Sequence, residues 1–449
     1  MIQPFLQVKA VKNVDVEMIG VDNQVNNTQP SEEAPIEAHS FFEQAQVKLD
    51  QVPVGPGVPL GITSVTNPKV GIGGAYGTWG ESYDNQTLSV FLEQRLGRSL
   101  SEAEKMDLTP LGFLYRHHLT SLSPEEHYQL ELEVGARFLR EAAHASGWEP
   151  GEVDAVLVGV SGPVVEDYTE QIARKAGIPE NALKVSVHKA CDSSASALHM
   201  VLNPELSENN RTGINLAREL LGKKVLVGGI EGLSRLLDLS KDVNALQLFG
   251  NGAGVIGVIP GKTLKFLVGK EQEVFDEKGL LAVHMFYPHS TPVEGQSLVD
   301  VCQENPHHLR VAGMMHEPEN GMAIEMAGLM GMVKLFVRNG VECVRDVYQR
   351  YQELMREWGT LEKRIRVTIV HHANFKINKL KASQLAKEGV HLNMPWVLSE
   401  FGNVSAASVM IAFLRQLPSL VPGDHILIDG FGAGSYYDVF AVAMGGLGA

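Results

Sequence analysis

Short apolar runs that end at glycine or polar turns alternate with helical segments from Lys69 to the end of the chain. Each run has the length and composition of a buried strand, and the segments between them are long enough to form covering helices. This alternation predicts an α/β fold built on a mostly parallel sheet. The clearest strand-like runs are KVGIGGAYG, VDAVLVGVSG, LKVSVHKA, KKVLVGGIEG, IRVTIVHHAN and DHILIDGFGAG.

The segment before Lys69 differs in composition from the rest. Residues 1–68 are rich in Asn, Gln, Val, Pro and Glu, and they end in QVPVGPGVPLGITSVTNP. Repeated Pro and Gly interrupt regular structure, so we predict an irregular N-terminal extension. Residues 123–146, by contrast, begin with Ser-Pro-Glu-Glu, which is typical of a helix start and predicts one long helix.

Charge and cysteine content exclude several classes of protein. A net charge of −15 disfavours binding of nucleic acid or anionic membranes through a general positive field. Three cysteines, Cys191, Cys302 and Cys343, lack the spacing of a zinc site or a disulfide scaffold. No run approaches the roughly 20 apolar residues of a membrane span, and the first residues lack a signal pattern. We therefore expect a cytoplasmic protein that binds no nucleic acid, membrane or metal.

Cys191 is the first candidate for chemistry because it joins the strand-like run LKVSVHKA to the small-residue segment DSSASALHMVL. A thiol at the start of a buried helix meets the positive end of the helix dipole, which favours the thiolate. The alternative is a small apolar core cysteine, the commoner role of a lone Cys. The neighbouring Asp192 would raise the pKa of the thiol unless its side chain turns away to cap the helix.

Three further motifs follow Cys191 along the chain. HHAN places His371 directly after the apolar run VTIV, at a strand end where parallel α/β folds carry reactive groups. GNVSAAS places Asn403 before a small-residue helix, although a helix cap is an equally ordinary role for Asn. GFGAG at residues 430–434 is a glycine turn whose backbone N–H groups are suited to an oxyanion.

Together these motifs resemble the β-ketoacyl-acyl-carrier-protein synthase III family of the thiolase superfamily. Cys191 matches the catalytic cysteine, His371 and Asn374 match the HxAN motif, and Asn403 matches the GNxSAAS asparagine. EGLSRLLD, LFGNGAG and GFGAG are further matches. The resemblance implies a thiolase-like five-layer αβαβα sandwich of two similar halves, 69–260 with the cysteine and 261–449 with the His/Asn pair. It also implies a homodimer.

The family resemblance also implies a mechanism. Cys191 would take an acyl group from a thioester, and a malonyl thioester would then lose carboxylate and attack that group to give a β-ketoacyl thioester. His371 and Asn403 would donate hydrogen bonds to the malonyl thioester oxygen. The backbone N–H groups of Cys191 and Ala433 would hold the oxyanion on the acyl side. No tightly bound cofactor is expected, since the acyl and malonyl thioesters arrive on acyl carrier protein or coenzyme A.

Two features bear on the thioester carrier. Met106 and Pro110 stand where the family often has the Trp and Arg that hold the coenzyme A adenine. Lys376, Lys379 and Lys381 follow the HHAN motif and form a basic run in an acidic protein. Because acyl carrier proteins are acidic, these lysines are candidates for carrier binding, and Lys376 matches a family docking position. An ordinary solvated helix face is the alternative.

Other functions within the same superfamily stay open at this point. Glu166 lies in a segment that approaches the partner active site in some relatives, where a carboxylate serves as base for condensation without decarboxylation. A solvated surface glutamate is the alternative. His188 is either a group that supports Cys191 or a packed histidine. A third possibility, a non-catalytic partner subunit of a condensing complex, disagrees with the joint presence of Cys191, His371 and Asn403.

Overall fold

The computed structural model describes residues 50–54, 57–119, 122–161, 167–206, 214–235, 243–273, 283–284, 298–301, 307–312, 325–326, 328–432 and 436–446. The helices are α1 (Asn85–Leu96), α2 (Pro124–Ala145), α3 (Tyr168–Ala176), α4 (Ser193–Leu202), α5 (Leu216–Glu219), α6 (Val243–Leu248), α7 (Gly328–Glu357), α8 (Phe375–Lys387) and α9 (Ala407–Gln416).

The strands, in chain order, are β1 (Asp50–Val54), β2 (Val58–Asn67), β3 (Ile72–Trp79), β4 (Glu81–Asp84), β5 (Tyr115–His118), β6 (Ala155–Gly159), β7 (Leu183–His188), β8 (Val225–Glu231), β9 (Gly252–Val258), β10 (Leu264–Glu273), β11 (Val283–His284), β12 (Leu298–Val301), β13 (His308–Ala312), β14 (Glu325–Met326), β15 (Ile365–Val370), β16 (His425–Gly432) and β17 (Tyr436–Met444). Short 3₁₀ turns lie at Thr109–Leu111, Pro150–Glu152, Ala190–Asp192, Leu233–Arg235 and Leu417–Ser419.

Two large sheets form the framework. The first has nine strands in the order β1-β2-β3-β9-β8-β6-β7-β13-β12, and the second has four in the order β10-β17-β16-β15. Among the strands of the described ranges, parallel strand pairs occur in β8-β6-β7-β13 and in β15-β16. The prediction of a mostly parallel sheet is therefore wrong. Direct antiparallel connections, such as β2 to β3, alternate with helical crossovers, so both sheets are mixed.

Helices cover both faces of each sheet and give five layers. Helices α2 and α3 pack on the outer face of the nine-stranded sheet. Helices α4 and α9 fill the middle layer, in a core shared by residues of both sheets. Helices α7 and α8 cover the outer face of the four-stranded sheet. The predicted αβαβα sandwich is confirmed.

The long helix predicted over residues 123–146 is α2. Ser123 is its N-cap: its side chain accepts from the backbone N–H of Glu126, and the Glu126 carboxylate accepts from the N–H of Ser123. Pro124 occupies the first helical position, where its missing N–H costs nothing. Local capping chemistry thus fixes where this helix begins. No helix in the described parts of the chain combines the length and apolar character that crossing a bilayer requires.

The irregular extension predicted for residues 1–68 is wrong for its last part. Strand β2 pairs with β3 from Leu60 opposite Trp79 to Asn67 opposite Ile72, and β1 pairs with β2 at the edge of the sheet. Proline is tolerated on an edge strand because one side of the strand has no partner to bond. The Pro-rich segment therefore joins the sheet, while residues 1–49 lie outside the described residues.

The two predicted halves, 69–260 and 261–449, meet between β9 and β10, which belong to different sheets. However, not every strand belongs to the sheet of its own half of the sequence. Strands β12 and β13 come from the second half of the sequence, yet β13 pairs in parallel with β7 in the first sheet. The division into two halves stays our prediction of the domain organisation.

Candidate active site

Cys191 lies in the turn that joins β7 to α4, within the 3₁₀ segment Ala190–Asp192. The residue before it, Ala190, has a φ of 49°, a left-handed conformation that costs energy for any residue with a Cβ. This bend turns the chain sharply from strand to helix at the cysteine. Cys191 keeps 9% of its surface exposed, whereas its neighbours Ala190 and Asp192 are fully buried.

Two glycines of β16 allow the cysteine turn to sit directly on the second sheet. A Cβ at Gly432 would lie 2.8 Å from the carbonyl oxygen of Lys189 and 2.9 Å from the backbone nitrogen of Asp192. A Cβ at Gly430 would lie 2.4 Å from the Cβ of Ala195. Real Cβ atoms do not approach other atoms so closely. The GFGAG motif therefore has a packing role at Gly430 and Gly432.

Asp192, which follows the cysteine, is a fully buried carboxyl group. Its side chain caps no helix hydrogen bond. Burial raises the pKa of Asp192 well above its usual value, and the nearby carboxylate of Asp438 raises it further. Both effects favour the protonated, neutral form of this carboxyl group. Protonation would remove the effect that an Asp192 carboxylate is expected to have on the thiol pKa.

His371 follows β15 and is almost completely buried. Burial lowers its pKa to about 3, helped by the nearby His372 and Lys381, so the imidazole is neutral. Its Nδ1 lies 2.7 Å from the Oγ of Ser408, and that Oγ accepts the backbone N–H of His372. We assign the Ser408 hydroxyl as the donor to Nδ1 of His371. This assignment leaves the hydrogen of the neutral ring on Nε2, where it can be donated.

Asn403 precedes α9, and both the oxygen and the nitrogen of its side-chain amide form hydrogen bonds. Its Oδ1 accepts the backbone N–H of Ser405 at 2.9 Å, and its Nδ2 points toward the carbonyl oxygen of Ala373 at 3.4 Å. Its own backbone N–H donates to Leu248. Because Oδ1 is engaged with the chain that follows, the amide presents its N–H₂ group toward the loop that carries His371.

Ser405 is a residue of this site that the sequence interpretation missed. Its Oγ donates to the Sγ of Cys191 at 3.0 Å, across 214 positions of sequence. Like Ala190, it has a positive φ, here 44°. Ser405 was visible only as one letter of the GNVSAAS match, and no local pattern relates it to the cysteine.

Glu231, at the end of β8, was likewise missed. Its Oε1 accepts two backbone N–H groups, from Ser161 at 2.8 Å and from Ala406 at 3.0 Å. Burial raises the pKa of Glu231 to about 8, although these hydrogen bonds act in the opposite direction. A mostly neutral carboxyl group thus ties the residue after Ser405 to the first sheet.

One segment of chain connects the three predicted catalytic residues. Asn403 belongs to GNVSAAS, Ser405 of that segment contacts Cys191, and Ser408 at its end contacts His371. Asn374 of HHAN has another role, since its side chain caps α8 by accepting from the N–H of Ile377. A buried thiol and two hydrogen-bond donors are thereby linked through one segment, a combination suited to acyl transfer.

Of the other predicted site residues, His188 lies in the described part of the chain, whereas Glu166 and Ala433 do not. His188 is buried at the end of β7, three residues before Cys191. Within the described ranges, no group of three or more His, Cys, Asp or Glu side chains is arranged to hold a metal ion.

The three candidate carrier-binding lysines do not share one surface. Lys376 and Lys379 are exposed on α8. Lys381 is fully buried, with its Nζ 2.6 Å from the carboxylate of Asp429 and 4.6 Å from the ring centre of Phe431. The prediction that Lys381 binds a carrier protein is therefore wrong. The side chain points to the inner face of α8 because its spacing from Ile377 and Leu385 is that of one helix face.

The sequence is similar to known condensing enzymes. A family profile described as 3-oxoacyl-[acyl-carrier-protein (ACP)] synthase III C terminal matches residues 355–444. The β-ketoacyl-[acyl-carrier-protein] synthase III of Clostridium tetani is 26% identical over 318 residues, which is 67% of this chain and 80% of the relative. The enzyme of the same name from Prochlorococcus marinus is 27% identical over 293 residues, 64% of this chain and 74% of the relative.

Solved structures support the same fold. The 3-oxoacyl-[acyl-carrier-protein] synthase III of Aquifex aeolicus superposes with a TM-score of 0.55 at 19% identity, covering 86% of this chain and 100% of the other. The synthase III of Thermus thermophilus gives a TM-score of 0.55 at 19% identity, covering 86% and 98%. The predicted resemblance and the thiolase-like fold are both confirmed.

Proposed function

From the premise that this chain is an acyltransferase similar to β-ketoacyl-acyl-carrier-protein synthase III, we propose that it condenses an acyl thioester with a malonyl thioester. The reaction passes through an acyl-Cys191 intermediate and releases carbon dioxide and a β-ketoacyl thioester. The observation that carries the proposal is the GNVSAAS segment, which supplies Asn403 and contacts both Cys191 and His371.

The first half-reaction uses the cysteine turn. The Cys191 thiolate attacks the thioester carbonyl, the carrier thiolate leaves and takes up a proton, and the acyl group stays on Sγ. The start of α4 supports the thiolate through the helix dipole, and the raised pKa of Asp192 reduces the opposing charge beside it. In our proposal the backbone N–H groups of Cys191 and Ala433 hold the oxyanion of this step.

The second half-reaction uses the two neutral donors. The Nε2–H of His371 and the Nδ2–H of Asn403 donate to the thioester oxygen of the malonyl group. As the carboxylate leaves as carbon dioxide, its electron pair forms an enolate whose negative oxygen these donors stabilise. The enolate carbon attacks the acyl carbonyl, and Cys191 leaves as thiolate. A histidine with a pKa near 3 serves here as a donor and needs no change of charge.

The thioesters are proposed to arrive on acyl carrier protein. Met106 packs beside an apolar cluster that contains Phe113 and Trp396, and with Pro110 it stands where the family often has the Trp and Arg that hold the coenzyme A adenine. The exposed pair Lys376 and Lys379 offers positive charge on α8, which begins directly after the HHAN motif. We also propose that the protein is a homodimer and is located in the cytoplasm.

Intact-protein mass spectrometry of the two half-reactions tests the proposal. Acyl-carrier thioesters should acylate the native protein stoichiometrically but leave Cys191→Ala unchanged. His371→Ala and Asn403→Ala should still be acylated, yet release at least about 100-fold less condensed product with malonyl-carrier, since each loses an enolate donor. Acylation of Cys191→Ala would refute the proposed nucleophile. Condensation without malonyl thioester that stops in Glu166→Ala would favour a non-decarboxylating enzyme instead.

A further inference from the structure

The hydroxyl of Ser405 is the feature of the site that the mechanism above does not use. It donates to the Sγ of Cys191 at 3.0 Å, and both side chains are buried. We propose that Ser405 is a further catalytic residue, whose hydroxyl stabilises the Cys191 thiolate by a direct hydrogen bond. The inference rests on the proposed function in one respect, that Cys191 is the nucleophile.

The backbone around this contact is held in an unfavourable conformation on both sides. Ala190 and Ser405 are the non-glycine residues with positive φ in the described parts of the chain, at 49° and 44°. One precedes the cysteine and the other carries the hydroxyl. Such conformations persist only where the surrounding structure enforces them, and they cluster at functional sites. Both conformations therefore serve to bring the Oγ of Ser405 to the Sγ of Cys191.

Hydrogen bonds on each side of Ser405 enforce its position. Its backbone N–H donates to the Oδ1 of Asn403, and the next N–H, of Ala406, donates to the carboxyl of Glu231. The carbonyl oxygen of Ala406 accepts from the Ser194 hydroxyl of α4, the helix that starts just after the cysteine. The donor is thus fixed relative to the thiol, which reduces the entropy lost when the hydrogen bond strengthens.

The charges around the cysteine show why a neutral donor matters. Helix α4 and strands β16 and β17 pack against the cysteine turn. Among the described residues, the titratable groups of the turn and of these elements are Asp192, His199, His425, Asp429, Tyr436, Tyr437 and Asp438, and His188 and Lys189 directly precede the turn. Lys189 pairs with Glu271, and Lys381 pairs with Asp429. Burial lowers the pKa of His371 to about 3, which disfavours an imidazolium near neutral pH. A hydrogen bond to an ionised acceptor is roughly twice as strong as a neutral one, so the Ser405 hydroxyl favours the thiolate.

The pH dependence of Cys191 alkylation tests this role. Iodoacetamide reacts with the thiolate, so its rate at Cys191, followed by peptide mass spectrometry, gives the thiol titration curve. Ser405→Ala removes the hydroxyl, and Ser405→Gly removes it while relieving the positive φ. Both variants should move the midpoint upward by about one pH unit or more, because a charge-assisted hydrogen bond is lost. The exposed Ser419→Ala is the matched control and should leave the midpoint unchanged.

The outcomes separate this inference from the proposed function. A midpoint unchanged in both Ser405 variants, with native-like melting temperatures, would overturn the role of Ser405 even if acylation proceeds as proposed. A shift in Ser405→Ala alone would show that loss of the hydroxyl does not by itself move the midpoint, and would also overturn it. Because alkylation needs no acyl donor, equal shifts in both variants uphold the inference even if no thioester acylates the protein.

Discussion

Glu231 shows how one buried side chain connects the site to the stability of the fold. Its carboxyl accepts two backbone N–H groups, and burial raises its pKa from 4.5 to about 8. The folded state therefore holds this proton more tightly than the unfolded chain. The stabilisation that results is fully present below about pH 4.5 and is lost as the pH rises through about 8.

Replacing Glu231 with Gln should flatten this pH dependence. Glutamine keeps an oxygen acceptor for Ser161 and Ala406 but cannot ionise. The free energy of unfolding of the native protein should fall between pH 6 and pH 9 more steeply than that of Glu231→Gln, by on the order of a few kcal/mol. Urea denaturation at several pH values measures the difference. Parallel curves for the two proteins would contradict a proton held at Glu231.

Single residues also mark the limit of what sequence reasoning predicted. The positions of Cys191, His371 and Asn403 were accessible because each belongs to a motif at the end of a strand or the start of a helix. Ser405 and Glu231 were missed because their roles depend on contacts with residues far away in sequence. The prediction that Lys381 is exposed was wrong, although the sequence indicated its burial. Ile377, Lys381 and Leu385 repeat every four residues, the spacing of a buried helix face.

At the scale of elements, the approach of β16 to the cysteine turn depends on glycine. Gly432→Ala would place a methyl group 2.8 Å from the Lys189 carbonyl oxygen and 2.9 Å from the Asp192 nitrogen. Both are backbone atoms, so the turn itself must shift. Because a displacement of 1 Å can cost about 100-fold in rate, we expect the acylation rate of Cys191 to fall by about that factor.

Quench-flow mass spectrometry of acyl-Cys191 formation measures this effect. Gly151→Ala is a matched control, since its new methyl group would meet no atom within 4 Å. It should acylate at the native rate. Native-rate acylation by a folded Gly432→Ala protein would mean that the turn tolerates displacement, contrary to the role given to this glycine.

Elements differ in how far local sequence determines them. Helix α2 begins where its Ser-Pro-Glu-Glu start predicts, because the capping hydrogen bonds are made within one turn. Strands β1 and β2 were missed, since their pairing depends on β3 rather than on their own composition. The mixed direction of the sheets was missed for the same reason. Whether neighbouring strands run parallel is decided by how the chain returns to the sheet.

At the scale of the whole molecule, an acidic protein carries two exposed lysines at the start of α8. With a net charge of −15, the chain repels an acidic carrier protein in general, so docking requires local positive charge. Lys376→Glu combined with Lys379→Glu should raise the KM for malonyl-carrier about tenfold or more at low salt. The effect should shrink as salt rises, because exposed charges are screened over about 10 Å at 0.1 M.

Lys387→Glu provides the control for this experiment. Lys387 is also exposed on α8 and carries the same charge, but it lies about 16 Å along the helix from Lys376. Its KM for malonyl-carrier should change little, and acylation by a small uncharged thioester should be native-like in all variants. An equal rise of KM in Lys387→Glu would indicate a general charge effect rather than docking at the start of the helix.

The pairing of β7 with β13 has a consequence for how the protein is made. Residues 184–188 bond to residues 308–312, which leave the ribosome on the order of ten seconds later. A β7 that folds before β13 is made would be a sheet edge with unpaired N–H and C=O groups, three residues before Cys191. Such edges recruit other chains, so a nascent or truncated form that ends near residue 260 would tend to aggregate. Pairing of β13 with β7 thus satisfies the backbone groups of this edge and reduces the tendency of the sheet to associate with other chains.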